Sequence, residues 1–263
     1  MKNLPYLLML SGLIGAPAFA ADAPPASPHT VSFNVGITTD YIFRGISQSQ
    51  HDPAISAGAD YSHASGLYAG TWVSTQKWVS HSFPATPYKA GSDFEWDVYG
   101  GYKGSAGDLG YDIGLIHYAY DGDRNATTGG VPTPETTEAY VGVSYKEVSF
   151  KYSQTTSPYF IGWGTRGTAK SKNSNYAELN WSHDMGDGWG VLAHLGHQVV
   201  KNEAPLKADY TDWKVGVTKD VGFGVVTLAY SDTNAEGGIG QAYRWNGKDV
   251  SKGVLALSFS KSF

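Results

Sequence analysis

Charged side chains recur at every second position in several segments of this chain, alternating with apolar residues. Asp93, Glu95 and Asp97 are spaced in this way in one segment, and Asp40 and Arg44 stand four residues apart in another. Side chains two residues apart on a β-strand lie on the same face. The pattern therefore places these charges along one surface of a sheet. The chemistry that such a surface can perform is the lining of a water-filled passage, where fixed charge selects among ions.

The charged residues on the polar faces of these segments are the candidate pore-lining residues. They are Asp40, Arg44, Asp60, Asp93, Glu95, Asp97, Asp112, Glu138, Lys151, Glu178, Asp212 and Lys214. Nine acids against three bases predict a negative interior potential and a preference for cations, unless many of the acids pair with the bases or lie wet at the rims. For Asp40 and Arg44 we favour a structural ion pair that anchors a loop over a role in a constriction.

Enzyme, metal and nucleic-acid chemistry find little support in the sequence. The motifs G-x-S-x-G and H-E-x-x-H do not occur, and such motifs are what nucleophilic and zinc-dependent hydrolases of known type require. Of the eight histidines only His194 and His197 are close, and a spacing of three puts them on opposite faces of a strand. A net charge of −5 without a basic cluster argues against nucleic acid as a partner. We expect no enzyme, no metal and no cofactor; a lipid hydrolase using His117 near a membrane rim is the less favoured alternative.

The composition favours a β-barrel in a membrane over an ordinary soluble domain. Charged residues make up 16% of the chain, against about 25% in typical soluble domains. Aromatic residues make up 14%, and beyond the first twenty residues no apolar run approaches the ~18 residues of a membrane helix. A barrel with one polar and one apolar face has this composition. Composition by itself also allows a secreted β-sandwich.

The alternating lengths of the connections decide between these two folds. Twelve alternating segments are separated by five short and six long connections. The short connections lie near 63–66, 104–110, 146–148, 184–188 and 220–223, and the long ones near 45–53, 75–91, 121–135, 155–173, 199–208 and 233–250. An even strand number, with short turns at one end and long loops at the other, is typical of outer-membrane barrels. We therefore predict an all-β, up-and-down antiparallel transmembrane barrel of about 12 strands, with short periplasmic turns and long extracellular loops.

The two chain ends support export and membrane assembly. Residues 1–20 have the positive start, apolar stretch and Ala18-Phe19-Ala20 site of a cleaved signal peptide. Residues 21–29 are rich in Pro and Ala and are predicted to be a short disordered lead, so that a single barrel domain spans 30–263. The last strand ends on Phe263, with Phe259 on the same face. We interpret these two residues as the signal that the barrel assembly machinery recognises.

The alternating segments also carry a family resemblance. The stretch TTDYIFRGISQSQHDPAISAGADYSHASGLYAGTW, residues 38–72, resembles the start of the TorF family of porins, whose domain is also called Gcw_chp. Further similar stretches are SDFEWDVYGGYKG, LGYDIGLIHYAY, TEAYVGVSYKEVSFKYS and YTDWKVGVTKD. The resemblance covers nearly the whole mature chain and implies a porin-like protein of Gram-negative bacteria. It supplies no substrate and no catalytic residue.

These observations lead to one expected function and one main alternative. We expect an outer-membrane channel for passive diffusion of small polar solutes or ions, surrounded by outer-membrane lipid. The alternative is a closed barrel with a structural or adhesive role, exerted through its extracellular loops.

Overall fold

The structure is a computed structural model that describes residues 27–81, 93–121, 132–165 and 167–263. The predicted signal peptide and residues 21–26 of the predicted lead lie outside the described residues. The same is true of parts of the second, third and fourth long loops.

Twelve antiparallel strands form a closed barrel. They are β1 (His29–Thr38), β2 (Ala54–His63), β3 (Leu67–Thr75), β4 (Phe94–Ala106), β5 (Leu109–Tyr120), β6 (Thr136–Tyr145), β7 (Val148–Thr155), β8 (Asn175–Gly186), β9 (Trp189–Val199), β10 (Tyr210–Asp220), β11 (Val225–Thr233) and β12 (Val254–Ser262). Each strand pairs with the next along the chain, and β1 closes the barrel on β12 with Asn34–Thr38 opposite Ser258–Ser262. The predicted fold is confirmed.

The connections between these strands alternate in length as the sequence predicts. Short turns link the strands at one end of the barrel, at residues 64–66, 107–108, 146–147, 187–188 and 221–224. Long loops link them at the other end. Loop 1 spans 39–53, loop 2 spans 76–93, loop 3 spans 121–135, loop 4 spans 156–174, loop 5 spans 200–209 and loop 6 spans 234–253.

The outer wall of the barrel is an exposed apolar surface. On β1, for example, Phe33 is 55% exposed and Ile37 is 52% exposed, and the same alternation continues around the barrel. Contiguous apolar area of this extent is costly in water. It is stable in the hydrocarbon of a bilayer, where a closed barrel also satisfies all backbone hydrogen bonds. Within the described ranges, no helix is long and apolar enough to cross a membrane.

Exposed aromatic side chains surround the short-turn end. They include Tyr102, Tyr145, Phe150, Trp189 and Phe263. Amphipathic rings at strand ends suit a membrane interface. Their exposure next to the turns therefore indicates an interfacial aromatic belt at this end of the barrel.

Tyr41 and Phe43 do not belong to this aromatic surface, although the apolar alternation of residues 31–37 continues through them in the sequence. Strand β1 ends at Thr38, and both rings are buried, with exposed fractions of 4% and 9%. The chain leaves the barrel wall because the Thr38 hydroxyl donates a hydrogen bond to the Asp40 carbonyl at 2.8 Å. Short side-chain-to-backbone bonds of this kind compete with a sheet ladder.

An aromatic core fills the long-loop end of the barrel. It contains Tyr41, Phe43 and Ile46 of loop 1, Trp78 and Val79 of loop 2, Phe160 of loop 4, Val200 and Ala208 of loop 5, and Ala242, Tyr243, Trp245 and Val250 of loop 6. We call this set the loop cap. Inward-facing rings at the strand ends, such as Tyr118 and Tyr210, pack against it. The loops therefore fold over the lumen, which is the space inside the barrel.

Small elements order the loops of the cap. Loop 2 carries a short helix, α1 (Trp78–His81). Three pairs of two-residue strands form small hairpins, Ile42–Phe43 with Ile46–Ser47 in loop 1, Gly164–Thr165 with Ala169–Lys170 in loop 4, and Arg244–Trp245 with Lys248–Asp249 in loop 6. The hairpin of loop 1 enters the lumen and builds the candidate site.

Candidate functional site

A tight hairpin at the tip of loop 1 projects into the lumen. Ile42–Phe43 pairs with Ile46–Ser47, and the two residues between them have positive φ angles, 49° at Arg44 and 77° at Gly45. Two-residue hairpin turns of this type need positive φ at both central positions, which favours glycine. The sequence Phe43-Arg44-Gly45-Ile46 therefore carried a turn signal that the strand interpretation of this segment missed.

The tip of this hairpin lies against two strands of the lumen wall. A Cβ atom at Gly45 would stand 2.5 Å from Cβ of Asp212 on β10 and 2.5 Å from Cγ2 of Thr233 on β11. Real Cβ atoms do not approach so closely, so any side chain at residue 45 would push the hairpin off this wall. Glycine is required here both by conformation and by contact.

Arg44 fastens the hairpin to the wall with a buried, two-pronged ion pair. Its Nη2 lies 2.6 Å from Oε2 of Glu138 on β6, its Nη1 lies 3.1 Å from Oε1 of the same residue, and Nη1 also donates to Gln198 on β9 at 3.0 Å. The ring of Tyr176 lies under the guanidinium, 4.4 Å from Cζ. The side chains of Arg44 and Glu138 are 8% and 0% exposed. Loop 1 thus crosses the barrel from β1 to β6 and β9.

The ion pair predicted between Asp40 and Arg44 is wrong. That prediction placed both residues on one strand face. Because β1 ends at Thr38 and the chain reverses at residues 44–45, the Arg44 side chain is directed across the lumen instead. Arg44 pairs with Glu138, a residue 94 positions away in the sequence.

Asp40 organises the base of loop 1 with hydrogen bonds to its own loop. Its Oδ1 accepts hydrogen bonds from the hydroxyls of Ser47 at 2.6 Å and Ser49 at 3.0 Å, and its Oδ2 lies 2.7 Å from Nδ1 of His51. Nε2 of His51 lies 2.8 Å from the carbonyl oxygen of Asp249 in loop 6. The set resembles an Asp-His-Ser triad in composition only. A nucleophilic serine needs the far imidazole nitrogen as its base, and here that nitrogen faces a backbone carbonyl.

A chain of polar contacts covers the wall from β7 to β10. Lys151 Nζ lies 3.1 Å from Oε1 of Glu178, whose Oε2 accepts a hydrogen bond from Asn180 at 3.1 Å. Oδ1 of Asn180 lies 2.6 Å from Nδ1 of His194, and Nε2 of His194 lies 3.0 Å from Oδ1 of Asp212. Three candidate lining residues, one histidine and one neutral amide are therefore connected. Glu178 and Asp212 each have a cationic or proton-sharing neighbour.

The acids of β2 and β4 are held mainly by aromatic hydroxyls. Tyr99 donates to Asp60 at 2.6 Å, and Tyr41 donates to Glu95 at 2.9 Å. Asp97 is 1% exposed, and its Oδ1 has no hydrogen-bond partner within the described residues. Glu95 and Asp97 lie beneath the loop cap, shielded from lumen water in this arrangement.

Asp112 belongs to a cluster that the sequence revealed only in part. The Tyr68 hydroxyl donates to Asp112 at 2.7 Å and also contacts the Tyr140 hydroxyl. Lys103 lies over the Tyr68 ring, 5.4 Å from its centre. Lys103 directly precedes the short connection predicted near 104–110, and it was not among the predicted lining residues. The strand in fact continues to Ala106, so Lys103 shares the inward face of Asp97 and Tyr99.

The remaining predicted positions lie at the barrel ends. Asp93 is exposed at the long-loop rim, directly before β4. Phe263 is exposed at the short-turn end, and its backbone exchanges hydrogen bonds of 2.9 and 3.2 Å with Phe33 of β1. The ring of Phe259 packs beside Phe223, with 5.7 Å between centres. Recognition of Phe259 and Phe263 by an assembly machinery stays a prediction.

Two cavities lie on either side of the loop 1 hairpin. One, of about 60 Å³, is bounded by Arg44 and the β7–β10 wall; the other, of about 70 Å³, is bounded by Asp40 and the strands β1–β3, β11 and β12. Ile42, Lys214 and Ser231 line both. The hairpin therefore divides the lumen, and Lys214 stands where the two halves meet.

No metal centre is formed by the residues that the structure describes, since none of their His, Asp and Glu groups of three or more could hold an ion. His117 lies exposed on the outer face of β5, and its Nδ1 lies 2.9 Å from the hydroxyl of Thr137. Its position on the lipid-facing side matches the expectation from the sequence.

One protein-family model matches nearly the whole chain. Residues 22–263 match a family described as bacterial proteins of unknown function, Gcw_chp. The chain belongs to the Gcw_chp family. This confirms the resemblance noted in the sequence, and it means that the lumen described above is that of a Gcw_chp barrel. No curated protein matches the chain.

Solved structures with a similar fold are outer-membrane porins and channels. The KdgM porin superposes with a TM-score of 0.50 at 7% identity over 89% of this chain and 98% of its own. The NanC porin has a TM-score of 0.50 at 12% identity over 89% and 99%. The COG4313 outer membrane channel from Pseudomonas putida F1 has a TM-score of 0.51 at 12% identity over 93% and 100%. At these identities the likeness is one of fold.

Proposed function

We propose that this Gcw_chp protein is a porin-like channel of the bacterial outer membrane for passive diffusion of small polar solutes or ions. The observation that supports it is a closed twelve-stranded barrel with an apolar outer wall and a charged inner wall. The short turns are then periplasmic and the long loops extracellular. Outer-membrane lipid surrounds the apolar belt, and the assembly machinery recognises the strand that ends at Phe263.

Loop 1 sets the width of this channel in the proposal. Its hairpin divides the lumen, and Arg44 joins β1 to the opposite strands through Glu138 and Gln198. Twelve-stranded barrels lie between the eight-stranded size that side chains fill and the sixteen-stranded size that leaves a wide channel. Passage past a hairpin in such a lumen is limited to small solutes. Folded proteins are too large.

The proposal also includes a preference of the channel for cations over anions. Glu138 and Glu178 are balanced by Arg44 and Lys151. Among the described residues, Asp60 and Glu95 accept hydrogen bonds from tyrosine hydroxyls, and Oδ1 of Asp97 has no hydrogen-bond partner. The excess of acid is smaller than nine to three, but its sign is the same.

A closed barrel with a structural or adhesive role is the second candidate. The loop cap favours it, because five of the loops contribute buried side chains to one core over the lumen. In that case the exposed parts of the loops would contact partners, and the lumen would carry no current.

Single-channel recording separates the two candidates. The refolded protein is reconstituted in a planar bilayer under a KCl gradient. Discrete current steps with a reversal potential favouring K⁺ support both the channel and the cation preference, whereas steps favouring Cl⁻ keep the channel and refute the preference. A silent bilayer, with protein shown to be folded by its heat-modifiable gel mobility, refutes the channel and leaves the closed barrel.

A further inference from the structure

Lys214 is a lumen cation without a direct partner. Its side chain lines both cavities beside the loop 1 hairpin, and its ammonium makes no hydrogen bond or ion pair within 27–81, 93–121, 132–165 and 167–263. The nearest acids that act on it are Glu178 and Asp212. Whether Lys214 is free to bind a solute depends on how these two carboxylates are balanced.

Glu178 is already balanced by another lysine. Lys151 Nζ lies 3.1 Å from Oε1 of Glu178, and both side chains are largely buried. The amide of Asn180 donates to the other carboxylate oxygen at 3.1 Å. This carboxylate has its charge and both oxygens satisfied without Lys214.

Asp212 is balanced by a proton that it shares with His194. Because the amide nitrogen of Asn180 donates to Glu178, its carbonyl oxygen faces Nδ1 of His194, and that nitrogen must carry a proton. Nε2 lies 3.0 Å from Oδ1 of Asp212. Nε2 also lies 2.9 Å from the Tyr176 hydroxyl, but that hydroxyl donates its proton to Oδ2 of Asp212 at 2.9 Å. A bare nitrogen and a carboxylate oxygen would repel at 3.0 Å, so a second ring proton of His194 lies between Nε2 and Oδ1. The His194–Asp212 pair is therefore neutral in sum.

Asp40, the acid that faces the second cavity, is also balanced by a histidine. Nε2 of His51 lies 2.8 Å from the carbonyl oxygen of Asp249, which can only accept, and Nδ1 lies 2.7 Å from Oδ2 of Asp40. Both ring nitrogens therefore donate, and the imidazolium balances Asp40. Lys214 is the one uncompensated charge among the described residues that line the two cavities.

We propose that Lys214 binds the carboxylate of a small hydroxylated solute in the lumen beside loop 1. One uncompensated ammonium matches a single negative charge, and the hydroxyls of Ser231, Thr227 and Ser258 line the adjoining cavity for a polar, uncharged body. A polyanion would leave its further charges facing the acidic wall of β2 and β4. The inference rests on the proposed channel, and not on its cation preference, for the route by which the solute reaches the lumen, and it names one class of solute for that channel.

Ligand-observed saturation-transfer NMR on the refolded full-length chain in detergent tests this site. Gluconate is the probe, and glucose is its uncharged counterpart. Lys214→Gln removes the positive charge, and Lys214→Arg keeps a positive charge on a planar guanidinium group. Lys219→Gln is the matched control, since Lys219 lies on the same strand but on the outer face, where its Nζ lies over the Trp189 ring. Heat-modifiable gel mobility confirms that each variant is folded.

The expected result is binding of gluconate over glucose, weakened roughly tenfold or more by Lys214→Gln, as loss of a charge-assisted bond predicts, and retained in Lys214→Arg and Lys219→Gln. Equal gluconate binding by Lys214→Gln, or no preference over glucose in the parent chain, overturns the proposal. Bilayer recordings on the same samples separate the two hypotheses. Current without Lys214-dependent binding refutes this site alone, and Lys214-dependent binding with a silent bilayer refutes the channel alone.

Discussion

Replacing Arg44 by alanine should release loop 1 from the barrel wall. The change removes two hydrogen bonds to Glu138 and one to Gln198, and it leaves Glu138, which is 0% exposed, with only the Tyr118 hydroxyl at 3.3 Å among the partners that the structure gives it. Removing one member of a buried ion pair costs about 3–5 kcal/mol. If the loop is freed by that amount, the ratio of displaced to docked loop rises roughly a hundredfold to several thousandfold.

Single-channel recording in symmetric KCl measures the effect of this change. We expect Arg44→Ala to give larger or longer current steps than the parent chain. Glu138→Gln should act in the same direction, because its amide cannot form the ion pair. Arg244→Ala is the matched control, since the Arg244 guanidinium donates to the carbonyl of Gly237 within its own loop at 3.2 Å. It removes a loop arginine without touching the crossing of the lumen.

The pattern across these variants can refute the reasoning. If Arg44→Ala folds as a barrel and its conductance equals that of the parent, the hairpin does not limit passage. If Arg244→Ala raises conductance as much as Arg44→Ala, the effect comes from general loosening of the loops. A double variant of Arg44 and Glu138 should show little beyond the single changes, because the two residues act as one pair.

Three further predictions concern the barrel wall and its short-turn end. Val35→Arg near the middle of β1 should cost about 2–4 kcal/mol of stability, and Val31→Arg nearer the end only about 0–1 kcal/mol, as measured by urea unfolding in lipid vesicles; equal costs would argue against a lipid-facing β1. Deleting Phe263 should lower the amount of barrel in the outer-membrane fraction of cells while leaving refolding in detergent intact, and an unchanged fraction would contradict its role as a signal. A hydrogen bond with His183, 2.7 Å long, lowers the pKa of the Glu147 carboxyl. The stabilisation from Glu147 should therefore be present above the ordinary glutamate pKa and be lost as pH falls through the lowered one, so the stability difference between Glu147→Gln and the parent should shrink in acid.

The barrel wall could be predicted from the sequence because its pattern is local. Alternation with period two fixes which side chains of a strand face out, and the short and long connections fix how many strands the chain forms and at which end each loop lies. Phe33, Val35 and Ile37 are exposed as the pattern of β1 requires. The inward positions of Asp97, Glu138 and Lys214 follow from the same alternation in β4, β6 and β10.

The limits of local pattern appear where strands end. Alternation continued past Thr38 and suggested outward-facing Tyr41 and Phe43, yet hydrogen bonds of Thr38 and Asp40 end β1 and turn the chain inward. The reverse error occurred just after Lys103, where Gly104 and Ser105 suggested a turn although the strand continues to Ala106. A segment can satisfy the strand pattern and still leave the sheet if a competing set of side-chain bonds is available.

The sequence by itself determined the strand count, the two faces of the wall, the family and the inward positions of charged strand residues such as Asp97, Glu138 and Lys214. Only the tertiary structure decided which of those charges meet. Arg44 and Glu138 are 94 residues apart and come together because closure of the barrel places β6 across the lumen from loop 1. Among the residues that the structure describes, Lys214 has no ion-pair partner, because Glu178 and Asp212 are paired with Lys151 and His194 of neighbouring strands. Pairing depends on register and closure, and these are non-local properties that alternation along one strand does not encode.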